Sequence, residues 1–261
     1  MLVDSHCHLD RVALDHYEGR FDQFVAKTIE SGVGHMLCVS IDLESWPAMV
    51  DLVAAYPQIS VSVGVHPNDK DRREPSVEEL LELAKTPKVV AIGETGLDYF
   101  HGEGDLEWQR DRFRRHIRAA VAAQQPLIIH TRQAKEDTIR IMREEGAEQA
   151  GGVMHCFTED WPMAQQALEM GFFVSFSGII TFKNAAELRE VVKQVPLEQL
   201  LIETDSPYLA PVPFRGKPNQ PIYVAKVAEC VAELKGLSVE AIQQQTGDNF
   251  FRCFPAVKPS D

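Results

Sequence analysis

The 261-residue sequence has no pair of cysteines at a metal-knuckle or redox spacing. Its five cysteines, at positions 7, 38, 156, 230 and 253, are odd in number and scattered, which argues against a disulfide framework and a cysteine-type zinc site. Long apolar runs are also missing. The longest nearly uncharged stretch, Gly171 to Phe182, is shorter than the ~18 residues needed to span a bilayer. The start, Met1-Leu2-Val3-Asp4-Ser5-His6, lacks the basic and apolar regions of a signal peptide, so a reducing cytoplasm is the expected location. Positive charge is scarce: 26 Lys and Arg stand against 39 Asp and Glu, a net charge of −13. Such a surface repels a duplex phosphate backbone and disfavours a protein that coats DNA. An enzyme with a small, locally positive pocket remains open.

No linker or low-complexity tract divides the chain, and its length matches an α/β barrel, typically ~250 residues. Eight short segments read as buried strands: Leu2–Ser5, His35–Ser40, Ile59–Val65, Val89–Glu94, Leu127–His130, Val153–His155, Phe172–Phe176 and Leu200–Glu203. Several run apolar without alternation, as strands covered on both faces do. Amphipathic helical patterns lie between them, among them Phe21–Glu30, Leu106–Ala123 and Ala185–Val195. Two further helices are expected near Ile222–Leu234 and Val239–Asn249. Eight β-then-α units predict a single TIM-type (β/α)8 barrel over residues 1–261. An open doubly wound sheet would carry a glycine-rich phosphate turn after its first strand, where this chain has His6-Cys7-His8.

Two histidines separated by one residue at a strand end point the same way and can grip one ion. Cys7 points away. With nine histidines in the chain such a pair is weak evidence alone. The other strand ends supply the context, finishing in Glu94, His130, His155 and, after the eighth, Glu203-Thr204-Asp205. In a barrel the C-terminal strand ends converge on one bowl, where the fold carries its chemistry. His6, His8, Glu94, His130, His155 and Asp205 therefore meet. Four imidazoles and two carboxylates exceed the needs of one tetrahedral ion and suit two divalent cations sharing a bridging carboxylate. The mixed donors favour Zn, Mn, Co or Ni, with Mg still open. A two-metal site acidifies a bound water and clamps the attacking and leaving oxygens, which is hydrolytic chemistry.

Six motifs carry a resemblance over nearly the whole chain: Asp4-Ser5-His6-Cys7-His8-Leu9-Asp10, Gly64-Val65-His66-Pro67, Gly93-Glu94-Thr95-Gly96-Leu97-Asp98-Tyr99, Ile129-His130-Thr131-Arg132, His155-Cys156-Phe157 and Glu203-Thr204-Asp205-Ser206-Pro207-Tyr208-Leu209. In this order they resemble the TatD-related DNases, metal-dependent hydrolases of the amidohydrolase superfamily. The resemblance implies a TIM-like barrel that binds two divalent cations and hydrolyses nucleic-acid phosphodiesters. It implies that His6, His8 and Asp205 hold the first metal, that His130 and His155 hold the second, and that Glu94 bridges them. Asp205 would also be the catalytic base.

His66 and Arg132, beyond the third and fifth strands, and Lys183 and Arg215, beyond the seventh and eighth, are candidates for holding substrate phosphate. For Lys183 and Arg215 the competing reading is a solvated surface charge. His16, His35, His101 and His116 lie off the strand ends and receive no role. Trp46, Trp108 and Trp161 open helices and are read as packing residues. The expected partner is nucleic acid, as DNA ends or single strands; no membrane contact or obligate protein partner is indicated. The alternative on the same scaffold is a hydrolase of a small ester, lactone or amide. A metal-storing protein ranks last, because six ligands leave coordination positions on two ions for water.

Overall fold

The computed structural model describes residues 1–68 and 70–258. Among these, eight parallel strands pair in sequence order: β1 (Leu2–Cys7), β2 (Val33–Cys38), β3 (Ile59–Val63), β4 (Val89–Asp98), β5 (Leu127–Arg132), β6 (Gly152–Met154), β7 (Phe173–Phe176) and β8 (Leu200–Ile202). Helices α1 (Phe21–Glu30), α2 (Trp46–Val53), α3 (Val77–Leu83), α4 (Glu107–Ala123), α5 (Lys135–Glu144), α6 (Trp161–Glu169), α7 (Ala186–Gln194), α8 (Val224–Lys235) and α9 (Val239–Cys253) follow in alternation. This is the TIM barrel that the strand count predicts. No helix among the described residues is long and apolar enough to cross a membrane.

The ring is shut by a narrow seam. β1 and the segment just past β8 share one parallel bridge, Cys7 with Ser206. Beside it the Asp205 N–H donates to the His6 carbonyl at 2.9 Å, and the His8 N–H donates to the Ser206 carbonyl at 2.8 Å. The hydrogen bonds that close the barrel are thus made by the backbone of the residues singled out for chemistry.

Alternate strand residues separate into two layers, as the period of two requires. Met36 and Cys38 join the outer core under the helices, whereas Leu37 and Val39 face inward with Val3, Val90, Ile128, Val153 and Leu201. The far end of α9 enters this inner layer with Phe250, Cys253 and Phe254. Its inner contacts are mostly with residues near the strand starts, so α9 plugs the end of the barrel away from the bowl. The sequence reading ended this helix at Asn249. The further turn exists because Phe250 and Cys253 gain an apolar interior to fill.

Strand ends depart from the sequence reading in both directions. β1, β4 and β5 run on to Cys7, Asp98 and Arg132, past the polar residues where an apolar pattern stops. The added residues of β4 and β5 still find ladder partners, Gly96 with His130 and Asp98 with Arg132. β2 ends at Cys38 and β3 at Val63, earlier than expected.

His116 on α4 is fully buried and satisfied as a neutral ring. Its Nε2 accepts from the Val65 N–H at 3.0 Å, and its Nδ1 donates to the Arg112 carbonyl at 2.8 Å. Burial pushes its pKa down to about 4. Between pH 6.5 and 4 the unfolded chain therefore binds a proton that the folded chain refuses, so folding stability falls as pH falls. His116→Gln keeps an acceptor for Val65 and should flatten that slope by about 3 kcal/mol over the window, read from denaturant midpoints at pH 7 and pH 4. Parallel slopes for parent and variant would show that His116 charges freely in the fold.

Candidate metal centre

The C-terminal strand ends open into a cavity of about 730 Å³ lined by His8, His66, Glu94, His130, His155 and Asp205, among others. At the β8–β1 seam the Nε2 atoms of His6 and His8 lie 3.4 Å apart. Asp205 Oδ1 stands 3.3 Å from His8 Nε2 and 3.7 Å from His6 Nε2. Asp205 has a left-handed backbone, φ 56°, which Asp and Asn tolerate best among residues with a Cβ. That turn sends its carboxylate back over the strand end.

Glu94 lies between two groups and divides its oxygens between them. Oε2 is 3.3 Å from His6 Nε2 and 3.9 Å from His8 Nε2. Oε1 faces the other way, 2.8 Å from His155 Nε2, 3.3 Å from His130 Nδ1 and 3.3 Å from His66 Nε2. Close backbone approach makes this geometry. Gly96, at φ 133°, lies so near the His130 carbonyl that any Cβ would collide with its oxygen.

The outer ring nitrogens are anchored, which aims the inner ones. His8 Nδ1 is 2.9 Å from the Val39 carbonyl, His155 Nδ1 is 3.0 Å from Glu203 Oε1, and His130 Nε2 is 3.2 Å from Asp98 Oδ2. This is the supporting pattern of metal-binding histidines, in which the outer partner fixes tautomer and ring plane. His6 departs from it: its Nδ1 is buried without a partner, and its ring stacks on His155 at 3.7 Å. His66 differs more. Its Nδ1 accepts the Asn68 N–H at 3.1 Å, so the neutral ring carries its hydrogen on Nε2, directed at Glu94. Distance alone would group His66, Glu94 and His130 around an ion, but the Asn68 contact makes His66 a donor.

Burial alone would raise the Glu94 carboxyl, yet the surrounding imidazoles of His155, His66 and His130 hold it well below the usual range. Asp205 is held low in the same way, against its burial, by His8, His6 and His155. Burial opposes charge on His155, but Glu94 and Glu203 keep it protonated well above its ordinary value. His6 and His66 are lowered, first by burial. Ionised carboxylates thus face converging ring nitrogens in a buried pocket. A divalent cation is the partner that satisfies both, since the facing Nε2 atoms of His6 and His8 are aimed at the same two carboxylates. The donor set fits metal. Among the described residues, His6, His8 and Asp205 form one group close enough to hold an ion.

Comparison with known proteins gives the family. The model of the TatD related DNase family matches residues 3–255. The chain belongs to the TatD-related DNase family. It is 48% identical over 254 residues to YcfH of Escherichia coli K12, an uncharacterised metal-dependent hydrolase, covering 97% of this chain and 95% of that one. It is 32% identical over 234 residues to TatD of Escherichia fergusonii, named a 3′-5′ ssDNA/RNA exonuclease, covering 87% and 90%. The crystal structure of YjjV, a TatD homologue from Escherichia coli K12, superposes with a TM-score of 0.88 at 27% identity, covering 97% and 98%.

This TatD-family bowl brings together all six ligand candidates read from the sequence. His66 and Arg132 also line it, but Lys183 and Arg215 do not. Arg215 instead lies over the Phe182 ring at 4.4 Å. The tryptophans stay outside the cavity lining, with Trp46 buried and its Nε1 donating to the Ser62 carbonyl. The sequence reading passed over Asp98, Glu203, Asn68 and His101. Asp98 and Glu203 stand inside motifs already quoted, four residues after Glu94 and two before Asp205. His101, given no role, lines the cavity with its Nδ1 2.8 Å from Asp98 Oδ2.

Proposed function

We propose that this chain, as one barrel domain over residues 1–261, is a metal-dependent deoxyribonuclease acting at DNA ends or on single strands. The observation that carries the reading is the division of Glu94, whose two oxygens face two separate sets of imidazoles within one cavity. His6, His8 and Asp205 would hold one divalent cation, His130 and His155 a second, with Glu94 common to both. Bound there, two such ions would supply an acidified water and charge neutralisation for the phosphodiester. The family match and the nuclease named in Escherichia fergusonii support a nucleic-acid substrate. The five cysteines are unpaired, in keeping with a cytoplasmic enzyme.

The protein's own groups divide the remaining work. Asp205 lines the cavity with its carboxylate ionised, placed to orient the attacking water and accept its proton. His66 stays neutral because burial lowers its pKa, and its Nε2–H, directed at Glu94, is the donor that a substrate oxygen would meet beside that carboxylate. Arg132 presents a planar fork to phosphate at the mouth. Asp98 and Glu203 hold the rings of His130 and His155 in place.

The test is chelator-stripped protein reloaded with Mg, Mn or Zn, then given end-labelled single-stranded and duplex DNA, RNA and a lactone panel. Single-stranded DNA should be shortened, with activity absent under chelator and restored by a divalent ion. Mn saturation should approach about two ions per chain. Lactone or amide turnover without cleavage of any oligonucleotide would install the small-substrate hydrolase instead. A plateau at one ion would remove the bridging role of Glu94.

A further inference from the structure

Large apolar side chains standing half in water are few among the described residues. They are Met1, Phe100, Tyr208, Val212 and Leu237, and the two most exposed, Phe100 at 52% and Tyr208 at 50%, are the two aromatic ones. Tyr208 stands at the metal-site cavity, and Phe100 packs against Arg132, which lines that cavity. Tyr208 lines it directly, with its ring 6.0 Å from that of His8 and nearly edge-on. Phe100 follows β4 and backs Arg132 at the end of β5, whose guanidinium carbon sits 4.1 Å from the ring centroid. In a ring of eight strands the β8–β1 seam lies across the barrel from β4 and β5. An aromatic face and an aromatic-backed cation therefore flank the Glu94 cluster from opposite rims.

The Tyr208 ring is carried on a fixed loop. The Tyr208 N–H donates to the Asp205 carbonyl at 2.9 Å, and the Asn219 N–H donates to the Pro207 carbonyl at 3.0 Å. The Asn219 side-chain amide donates to the carbonyls of Thr204 and Tyr208. Leaving an aromatic ring in water is unfavourable, and a pinned backbone prevents it from folding onto the core. A flat π face held rigidly three residues from Asp205 is suited to one class of ligand fragment, a nucleobase. Arg132 is suited to the neighbouring phosphate, because Phe100 holds its plane without neutralising its charge.

We propose that Tyr208 and the Phe100-backed Arg132 form a two-sided clamp, Tyr208 stacking the base on one side of the scissile bond and Arg132 gripping the phosphate on the other. The clamp rests on the nucleic-acid reading of the site and adds how the strand is held. Stacking on a ring accepts any base, since each has a π face, so the clamp selects for unpaired strands and not for sequence. A base inside a duplex is already stacked and paired, and must fray before Tyr208 can take it. The acidic surface calls for such a local grip, since it offers little general attraction for DNA.

The experiment uses Mn-loaded parent protein, Tyr208→Ala, Tyr208→Phe, Phe100→Ala and Arg132→Ala with short labelled single strands, intact or carrying one abasic sugar near the cleaved end. Fluorescence anisotropy gives affinity and initial rates give KM and kcat. Tyr208→Ala should raise KM roughly tenfold to a hundredfold, and Tyr208→Phe should recover most of that loss. The same Tyr208→Ala change should cost little on the strand whose contacted base is missing, a coupling that general damage to the fold cannot produce. Arg132→Ala should lower the salt slope of binding by about one phosphate contact, and Phe100→Ala should move the same way but less. Equal losses on intact and abasic strands, or an unchanged KM in Tyr208→Ala, would overturn the clamp while leaving the nuclease intact. Failure of the parent protein to cleave any strand would instead overturn the nuclease reading, and the clamp with it.

Discussion

Asp205→Asn is expected to lower the rate of DNA cleavage by at least ~10²–10⁴ while leaving the fold and one of two bound ions in place. The size of the loss follows from removing a positioned proton acceptor, since an amide has nearly the same shape as a carboxylate but cannot take the proton. Asn is the right replacement on backbone grounds as well. Residue 205 sits at φ 56°, a conformation that Asn adopts as readily as Asp and that Ala resists. The seam hydrogen bond from its N–H to the His6 carbonyl uses main-chain atoms and survives the change. His130, His155 and Glu94 do not depend on Asp205, so the second ion should remain while the first weakens. Melting temperature, bound Mn and initial rate, measured on the same preparation, separate these effects. Near-parental cleavage with both ions bound would show that the proton goes elsewhere.

The barrel was legible because eight apolar segments alternated with helical patterns, and the site because five of those strand ends led into residues of metal-binding type. Backbone closure then turned that linear regularity into one pocket. The boundaries were less legible, for a physical reason. Hydrophobic pattern marks where a strand is covered by helices, but β4 and β5 continue past that cover as the bowl's wall, paired through Gly96–His130 and Asp98–Arg132. Asp98 was missed because it lies on that continuation. His66 was found, but its role was not, since the tautomer depends on the Asn68 N–H, a contact made by a loop with no sequence signature. The aromatic groups beside the site were invisible for a similar reason. Phe100 and Tyr208 are separated by more than a hundred residues, and Arg132 joins Phe100 only through the neighbouring strand end. Lys183 and Arg215 were plausible by position after β7 and β8, yet position along the chain does not fix the direction of a long side chain.

The largest effect should come from Glu94→Gln. Glu94 is 2% exposed, and each of its oxygens serves a different group, Oε2 toward His6 and His8, Oε1 toward His66, His130 and His155. An amide offers one weak neutral acceptor, and its NH2 turns two hydrogens toward rings that must present lone pairs. On the proposed two-ion reading both would lose a ligand and a shared negative charge, so bound Mn should fall from about two per chain to below one under conditions that saturate the parent. Cleavage should drop further than in Asp205→Asn, because that variant keeps one complete group. Glu203→Gln supplies the contrast. Its side chain hydrogen-bonds His155 Nδ1 at 3.0 Å, and the change should weaken binding chiefly at the second group, by roughly 10–100-fold, as loss of an outer partner does. Metal titrations of the three variants therefore have distinct shapes: both ions weakened for Glu94, the first for Asp205, the second for Glu203. A Glu94→Gln protein that kept one ion at parental affinity would mean that Glu94 serves a single site, and the pairing of the six ligands would have to be redrawn around Asp205 or Glu203 as the shared carboxylate.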